Sequence, residues 1–393
     1  MRDALYIAVR YLATNRLTSI VLLVSMTLIL FLPAGLLVLV RETADSLNRR
    51  ADATPLVVGT KGSPLELALS TLYFESDPPP ELSYREAEQL AQGGLAQPIP
   101  MLCGFSAGKF PIVGTTSDYL EFRRLRLADG RGFALLGECV IGAAVADGLD
   151  LAPGGSLISS PKGAFDLAGV YPLKMKVVGI LAKTGTPDDR AVFTDVKTTW
   201  IIAGNMHGHQ DLATDEAAST VLERGDDGIV ANASVVEYNE ISAENASSFH
   251  LHGELSDLPL TAVIAIPNNR KASALLRGRY LGKDQLNQII APSEVMGELL
   301  ASILTIRRYA VAAISLACLA AAGSSVLVLV LSLRLRRAEL ATLHKIGASR
   351  PRIFWIHAAE IIIILIASLV LAALLTAATI HFGDAAIRVL LTA

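Results

Sequence analysis

The sequence predicts a membrane protein: an α-helical transmembrane bundle of three spans plus a large α+β extracytoplasmic domain between spans 1 and 2. Three observations carry that prediction. First, three apolar runs, Leu17–Val40, Tyr309–Leu333 and roughly Ile353–Ile380, each reach the about 20 residues that a helix needs to cross a bilayer. Second, the block between the first two runs contains short β-like runs broken by glycine and proline, the pattern of a mixed domain with its own core. Third, basic residues gather at particular ends of the apolar runs, as the positive-inside bias requires of a spanning chain. Apolar residues make up 52% of the 393, and their concentration in these runs excludes an ordinary soluble chain.

Residues 1–16 place Leu5, Ala8, Val9 and Leu12 on one helical face, with Arg2 and Arg10 elsewhere, so a cytoplasmic interfacial helix is expected there. The run at 17–40 is longer than the apolar stretch of a signal peptide and lacks a clear small-residue cleavage site, which makes it a retained anchor. Arg2, Arg10 and Arg16 before it belong in the cytoplasm. The domain at 41–306 then lies outside. It carries 22 basic and 33 acidic residues, a net charge of −11, while the remainder of the chain stands at +8.

Within that domain, the polar helix formers of Arg41–Ala53 extend the first span as a stalk. Pro55–Gly59 reads as a buried strand, Leu65–Phe74 as an apolar helix, and Asp77–Pro80 as a stiff proline loop. Ser83, Tyr84, Arg85 and Glu86 have the spacing of a capping box. Strands are expected at Phe110–Val113, Cys139–Ile141, Leu157–Ser159, Met175–Ile180 and Leu260–Ile266, with a helix near Ala272–Leu281. The polar, acidic stretch at about 205–250 reads as an insertion or mobile loop. From Pro292 a helix runs into the second span, 309–333.

The stretch 334–352 organises the rest. It carries Arg334, Arg336, Arg337, Lys345, Arg350 and Arg352 against the single acid Glu339. Leu340, Leu343 and Ile346 recur at helical spacing, and Gly347 stands where a C-cap would. Two readings follow: a solvated loop that sets topology, or an amphipathic helix on the cytoplasmic side. The apolar stripe favours the helix, since a plain tether needs none. The third span, 353–380, bears His357 and Glu360 in its first turns, and 381–393 form an extracytoplasmic tail. Glu360 is expensive at depth unless it is paired or near the interface. A structural partnership with Arg336, Arg337 or a neighbouring chain is expected.

Four groups of residues together resemble the FtsX/MacB-type ABC transporter permeases. They are Ile112–Thr116 with Asp118, Tyr119, Leu120 and Gly130–Phe133; Cys139–Gly142 with Ala146, Leu149, Leu151 and Gly154; Val177–Leu181 with Thr184–Pro187, Asp189 and Arg190; and Arg337, Glu339, Leu340, Ala341, Leu343, Gly347 and Ala348. The resemblance implies a MacB-like domain at 41–306 and a permease subunit that is not itself an enzyme. It implies that Arg336, Arg337, Glu339, Leu340, Leu343, Ile346 and Gly347 form a coupling helix seated on a separate ABC ATPase, which holds the ATP. It implies a second permease chain, identical or different, a periplasmic protein or adaptor as further partner, and a place in the bacterial inner membrane among its lipids. No partner is expected among nucleic acids. Two functions fit: mechanotransmission, in which ATP hydrolysis moves the outer domain to drive export or extrusion, and an FtsX-like signalling scaffold that controls a periplasmic partner without transport. Family members carry a fourth span, and the residues after Ile380 are too few for one.

No residues in the chain form an ATP site of their own. The run Cys103–Phe110 resembles a phosphate loop but lacks its first glycine and the hydroxyl after Lys109. Two His-x-His pairs, His207 with His209 and His250 with His252, are read either as a zinc or copper site or as surface histidines in a polar loop. Cys103 and Cys139 share an exported domain where a disulfide is permitted. Their apolar contexts favour buried free thiols.

Overall fold

The computed structural model describes residues 2–160, 172–208, 221–225, 228–231, 238–242, 244–251, 253–282, 285–335 and 349–392. These separate into two compact units, Met1–Asn48 with Glu298–Ala393, and Arg49–Gly297. Helices α1 (Arg2–Thr14) and α2 (Arg16–Asp52) open the chain. The apolar run and the polar residues after it form one helix, so the expected stalk is helical. Then follow β1 (Leu56–Thr60), α3 (Pro64–Leu72), β2 (Leu82–Ser83), α4 (Arg85–Gln92) and the strands β3 (Ala96–Ala107) and β4 (Phe110–Thr115). After α5 (Ser117–Phe122) come β5 (Leu127–Gly130), β6 (Glu138–Ile141), α6 (Ala143–Leu149), β7 (Ser156–Ile158), β8 (Lys174–Leu181), β9 (Val192–Asp195) and α7 (Val196–Ile202). Next are β10 (Met206–Gly208), β11 (Val221–Gly225), β12 (Gly228–Ala231), β13 (Phe249–Leu251), β14 (Pro259–Leu260) and β15 (Ala262–Pro267). α8 (Arg270–Arg279), β16 (Asn287–Ile290), α9 (Pro292–Leu335) and α10 (Arg350–Thr392) complete the described chain.

In the Arg49–Gly297 unit one sheet runs in the order β16-β1-β15-β3-β4-β9-β6-β8-β5, with β7 also on β8. Only β4–β9 and β6–β8 pair in parallel among its described strands. β3 is shared by two stretches of pairing. Its first half pairs with β15 and its second half with β4. That division explains how Pro98 and Pro100 sit in a central strand. Leu95 and Met101 turn their carbonyls toward Asn268 and Thr261 on the β15 side, so the alternate positions Pro98 and Pro100 face the other edge. There β4 pairs only from Leu102 onward, and no ladder bond needs a proline N–H. The core beneath the sheet holds Ile112, Ile141, Val192 and Trp200, all at 0% exposure.

The structure shows how several of these local segments are built. Ser83 and Glu86 form no capping box. The Ser83 hydroxyl donates to the Ser256 carbonyl and accepts the Arg85 N–H, and Glu86 takes hydrogen bonds from Tyr280 and Asn287. Long-range partners outcompete the cap. The phosphate-loop lookalike spans a β3–β4 hairpin with Gly108 at its turn (φ +59°), a strand–turn–strand rather than the strand–loop–helix that cradles phosphate. The stretch at 205–250 is not wholly a loop in its described parts. β10 pairs with β13 and β11 with β12, and Met206, Tyr238, Ile241, Phe249 and Leu251 pack against or within the core. The expected tail after Ile380 continues as helix to Thr392.

In the other unit, three helices are long and apolar enough to cross a membrane: Arg16–Leu39, Val311–Val328 and Pro351–His381. α1 packs against α10 and buries Ala8 completely. Hydroxyls link the spans. Ser25 and Ser325 share a hydrogen bond of 2.9 Å, and Ser368 donates to the Leu23 carbonyl at 3.3 Å.

Candidate functional site

The basic stretch is described only at its ends. Arg334 stands in the last turn of α9, and α10 begins at Arg350. Arg336, Arg337, Glu339, Leu340, Leu343, Ile346 and Gly347 lie outside the described residues. Glu360 is buried in the early part of α10, with its Oε2 3.4 Å from Nδ1 of His357 one helical turn before it. Of the four singled-out histidines, His207 and His250 are brought together as directly opposed residues of β10 and β13, and their rings stand 5.0 Å apart. His209 and His252 lie outside the described residues. Among the described residues no group of three or more His, Cys, Asp or Glu is placed to hold a metal. Cys103 and Cys139 are free and buried, and burial pushes both thiols up to about 12, where they are inert.

The arrangement that sequence reasoning missed is a buried charge cluster at Arg50, in the last turn of α2. Its guanidinium meets the Asp188 carboxylate with both prongs, Nη1 to Oδ2 at 2.6 Å and Nη2 to Oδ1 at 2.9 Å. Nη2 also donates to the Tyr119 hydroxyl at 2.9 Å, which in turn donates to Asp188 Oδ1 at 2.9 Å. Nε donates to the carbonyl of Leu72, the last residue of α3. A cation there satisfies one of the carbonyls that every helix end leaves without an intrahelical partner. Phe74, held at φ +59°, lays its ring 5.6 Å from the guanidinium. Tyr119 stacks on Phe193 at 5.3 Å. Arg50, Tyr119 and Asp188 are at most 8% exposed.

Each acid of the loop after Pro187 has its own task. Asp189 accepts from Thr184 N and Oγ1 and from Gly185 N at 2.7–2.8 Å, which folds the loop on itself. Asp188 is thereby aimed at Arg50, and the Thr186 hydroxyl donates to its Oδ2 at 2.9 Å. Burial is the largest influence on Asp188 and opposes its charge. The hydrogen bonds and charge of Arg50, with Thr186 and Tyr119, outweigh burial and hold the carboxyl below the usual range. Close packing sets the loop's position. A Cβ on Gly142 would lie 2.3 Å from the carbonyl oxygens of Asp188 and Asp189, so only glycine lets the start of α6 approach the loop this closely. Arg123 packs its guanidinium 5.7 Å from the Tyr119 ring and 4.9 Å from Phe122. A second pair stands nearby in sequence: Glu138 accepts from Arg131 and from the N–H groups of Ala134 and Leu135. Arg131, then those amides, lower its carboxyl to about 2 against the opposing effect of burial.

The signal for this cluster was present but unreadable alone. Arg50 follows Arg49 in a polar stretch, and nothing local distinguishes the buried arginine from its exposed neighbour. Tyr119, Gly142 and the loop Thr184–Pro187 did stand out, as residues of the resemblance.

Comparison with known proteins follows the same lines. The family model described as the MacB-like periplasmic core domain matches residues 19–234. Among solved structures, the chain is similar to the extracellular domain of the noncanonic ABC-type transporter YknZ from Gram-positive bacteria, at 13% identity over 60% of this chain and 98% of that one, with a TM-score of 0.32. It is also similar to the periplasmic region of MacB from Actinobacillus actinomycetemcomitans, at 10% identity over 63% of this chain and 92% of that one, with a TM-score of 0.33. No curated protein matches. Matched over more than half its length by the family model, and carrying apolar helices on both sides of an α+β domain, the chain belongs to the MacB-like periplasmic core domain family, as a permease of the FtsX/MacB type.

Proposed function

We propose that this chain is the permease subunit of an ABC transporter, and that it converts ATP hydrolysis by a separate ATPase into movement of its extracytoplasmic domain. The observation that carries this is the Arg50 cluster. The helix that holds the first apolar run, α2, ends in a guanidinium locked by a two-pronged pair to the loop of a family motif. Charge-assisted, bidentate pairs fix direction as well as distance. A displacement of α2 is therefore passed to the Asp188 loop, and through Gly142 to β6 and α6, with little slack.

The remaining parts of the proposal are carried over from the family resemblance. Residues 334–352, on the cytoplasmic side, seat on the ATPase through Arg336, Arg337, Glu339, Leu340, Leu343, Ile346 and Gly347. Two such chains, identical or different, share an ATPase dimer, and the domain lies outside the bacterial inner membrane, where it meets its periplasmic partner. ATP is bound by the partner subunit, and this chain performs no catalysis.

The test is affinity purification of the tagged chain from membranes, comparing wild type with a Glu339→Arg, Leu343→Asp double variant. An ATPase is expected with wild type and absent with the variant. Arg50→Met is expected to retain the ATPase yet lose nucleotide-dependent movement of the domain, read by spin-label distances. If no ATPase accompanies the wild-type chain, coupling fails as an account, and a scaffold acting on a periplasmic partner replaces it.

A further inference from the structure

We propose that Arg123 anchors a binding site for a small carboxylate on the extracytoplasmic domain, which α5 presents beside the Arg50–Asp188 pair. Nε and Nη2 of Arg123 are both buried, and neither has a hydrogen-bond partner among the described residues. These two nitrogens form one edge of the guanidinium, so their N–H groups point the same way and match the two oxygens of a carboxylate. Buried polar groups are nearly always satisfied, and two orphan donors on one edge of a cation mark where an acceptor belongs. The neighbouring groups do not supply it. The Tyr119 ring lies against the guanidinium, but its hydroxyl is engaged with Arg50 and Asp188. Asp188 already accepts from both prongs of Arg50, from Tyr119 and from Thr186. Two guanidiniums thus share one carboxylate, and this buried cluster carries one uncompensated positive charge.

Local structure holds that edge in place. Arg123 closes α5 in a Schellman turn: the Leu125 N–H bonds to the Leu120 carbonyl and the Arg124 N–H to that of Glu121, with Arg124 at φ +55°. From there the side chain leans back along the helix, its guanidinium carbon 5.7 Å from the Tyr119 ring centroid and 4.9 Å from that of Phe122. Two aromatic faces support the cation without using its N–H groups. Burial is the largest influence on Arg123 and lowers its pKa, and the like charge of Arg50 acts in the same direction against Tyr119 and Asp188. An anion on the free edge offsets both. Charge selects its class. A carboxylate brings the single negative charge that the cluster needs, whereas phosphate brings nearly two and costs more to desolvate beside aromatic rings. Chloride, a sphere, makes no use of two parallel N–H groups. The residue is only half-buried, so the edge lies at the rim of the domain, within reach of a small ligand.

The experiment follows thermal unfolding of the full chain in detergent at pH 7, in sodium acetate, phosphate or chloride of equal ionic strength. Acetate is expected to raise the melting temperature of wild type saturably, by about 3–6 °C at ten times its dissociation constant, and above either other anion. Arg123→Met and Arg123→Lys are each expected to abolish that rise, the second because an ammonium keeps the charge but not the fork. Arg126→Gln, which removes an exposed arginine three positions on, is expected to keep it. In chloride, Arg123→Met is expected to melt no lower than wild type, because it removes a buried charge that has no partner. A lower melting temperature there would make the guanidinium a packing brace and overturn the proposal. So would the absence of any acetate-specific rise in wild type, its persistence in Arg123→Met, or a larger rise with phosphate. Saturation-transfer resonance on the acetate methyl group reads binding directly: transfer is expected with wild type and lost in Arg123→Met, and equal transfer in both overturns the assignment. The outcome is independent of whether an ATPase co-purifies.

Discussion

At the scale of single residues, the Arg50–Asp188 pair is a place where charge is buried only because it is matched. Removing one partner leaves the other charged, desolvated and alone, a loss of about 3–5 kcal/mol. Arg50→Met or Asp188→Leu in the full chain is therefore expected to lower the melting temperature sharply. The double variant should lose less than the sum of the two, because no charge is then stranded. An additive double variant would mean that packing, not pairing, holds the site. Glu138 supplies a pH test. Its folded pKa is about 2, below the ordinary 4.5, so the stability it contributes is complete above 4.5 and is lost as pH falls from there through about 2. Arg131 is the largest cause of that shift. Arg131→Gln is expected to raise the Glu138 pKa toward 4.5, so that stability at pH 6 falls and the part of it lost between pH 4.5 and 2 shrinks. Melting curves collected between pH 6 and pH 2 give the comparison, and superimposable profiles would refute it.

At the scale of elements, the glycines of the family motifs act as contact points between segments. Gly142 is the one the Arg50 cluster depends on, because any side chain there meets the backbone of the loop that presents Asp188. Gly142→Ala forces that backbone to shift, at a cost of about 1–3 kcal/mol for overpacking. It is also expected to weaken the Arg50 pair. In a double-mutant cycle Gly142→Ala and Asp188→Asn should therefore couple. Independent, additive effects would disconnect the turn from the joint. The same scale shows what the sequence made legible. Strands such as β4, β6 and β8 were readable because apolar runs ended at glycine or proline, and α2 because a long apolar run passes directly into polar helix formers. β3 was harder to read, because Pro98 and Pro100 argue against a central strand. Only the change of partner at Leu102 makes them tolerable. The capping box at Ser83 failed for a related reason, as Ser256, Tyr280 and Asn287 come from segments remote in sequence. The free thiols were foreseeable from apolar context. The Arg50 cluster was not, because its partners at positions 72, 119 and 188 are brought together only by the sheet.

At the scale of the whole molecule, the membrane unit packs in the reverse of a soluble bundle. The side chains it buries are largely small or polar, with Thr27, Ser325, Ser368 and Ala372 at most 5% exposed, while Leu316, Leu319 and Leu327 are each 70% exposed. Lipid is as apolar as leucine, so helices in a bilayer gain by close approach of small residues and by hydrogen bonds between them. The Ser25–Ser325 bond and the Ser368–Leu23 bond are of that kind. They tie α2 to both α9 and α10, the two helices that flank the stretch expected to seat on an ATPase. If coupling runs through this bundle, spans 1 and 2 must either move as one body or slide past each other. Ser25→Cys with Ser325→Cys distinguishes these. The hydroxyl oxygens stand 2.9 Å apart, within the approach that a disulfide's side-chain geometry needs, so mild oxidation in membranes is expected to cross-link the pair in high yield. A control with Gly323→Cys in place of Ser325→Cys should cross-link far less, because its position is offset along the helix. With the bond formed, unchanged ATP hydrolysis and domain movement would mean that the two spans travel together and that α2 delivers the whole displacement to Arg50. Arrest of both would mean that the Ser25–Ser325 contact opens in each cycle, and that the hydroxyl pair is a releasable latch.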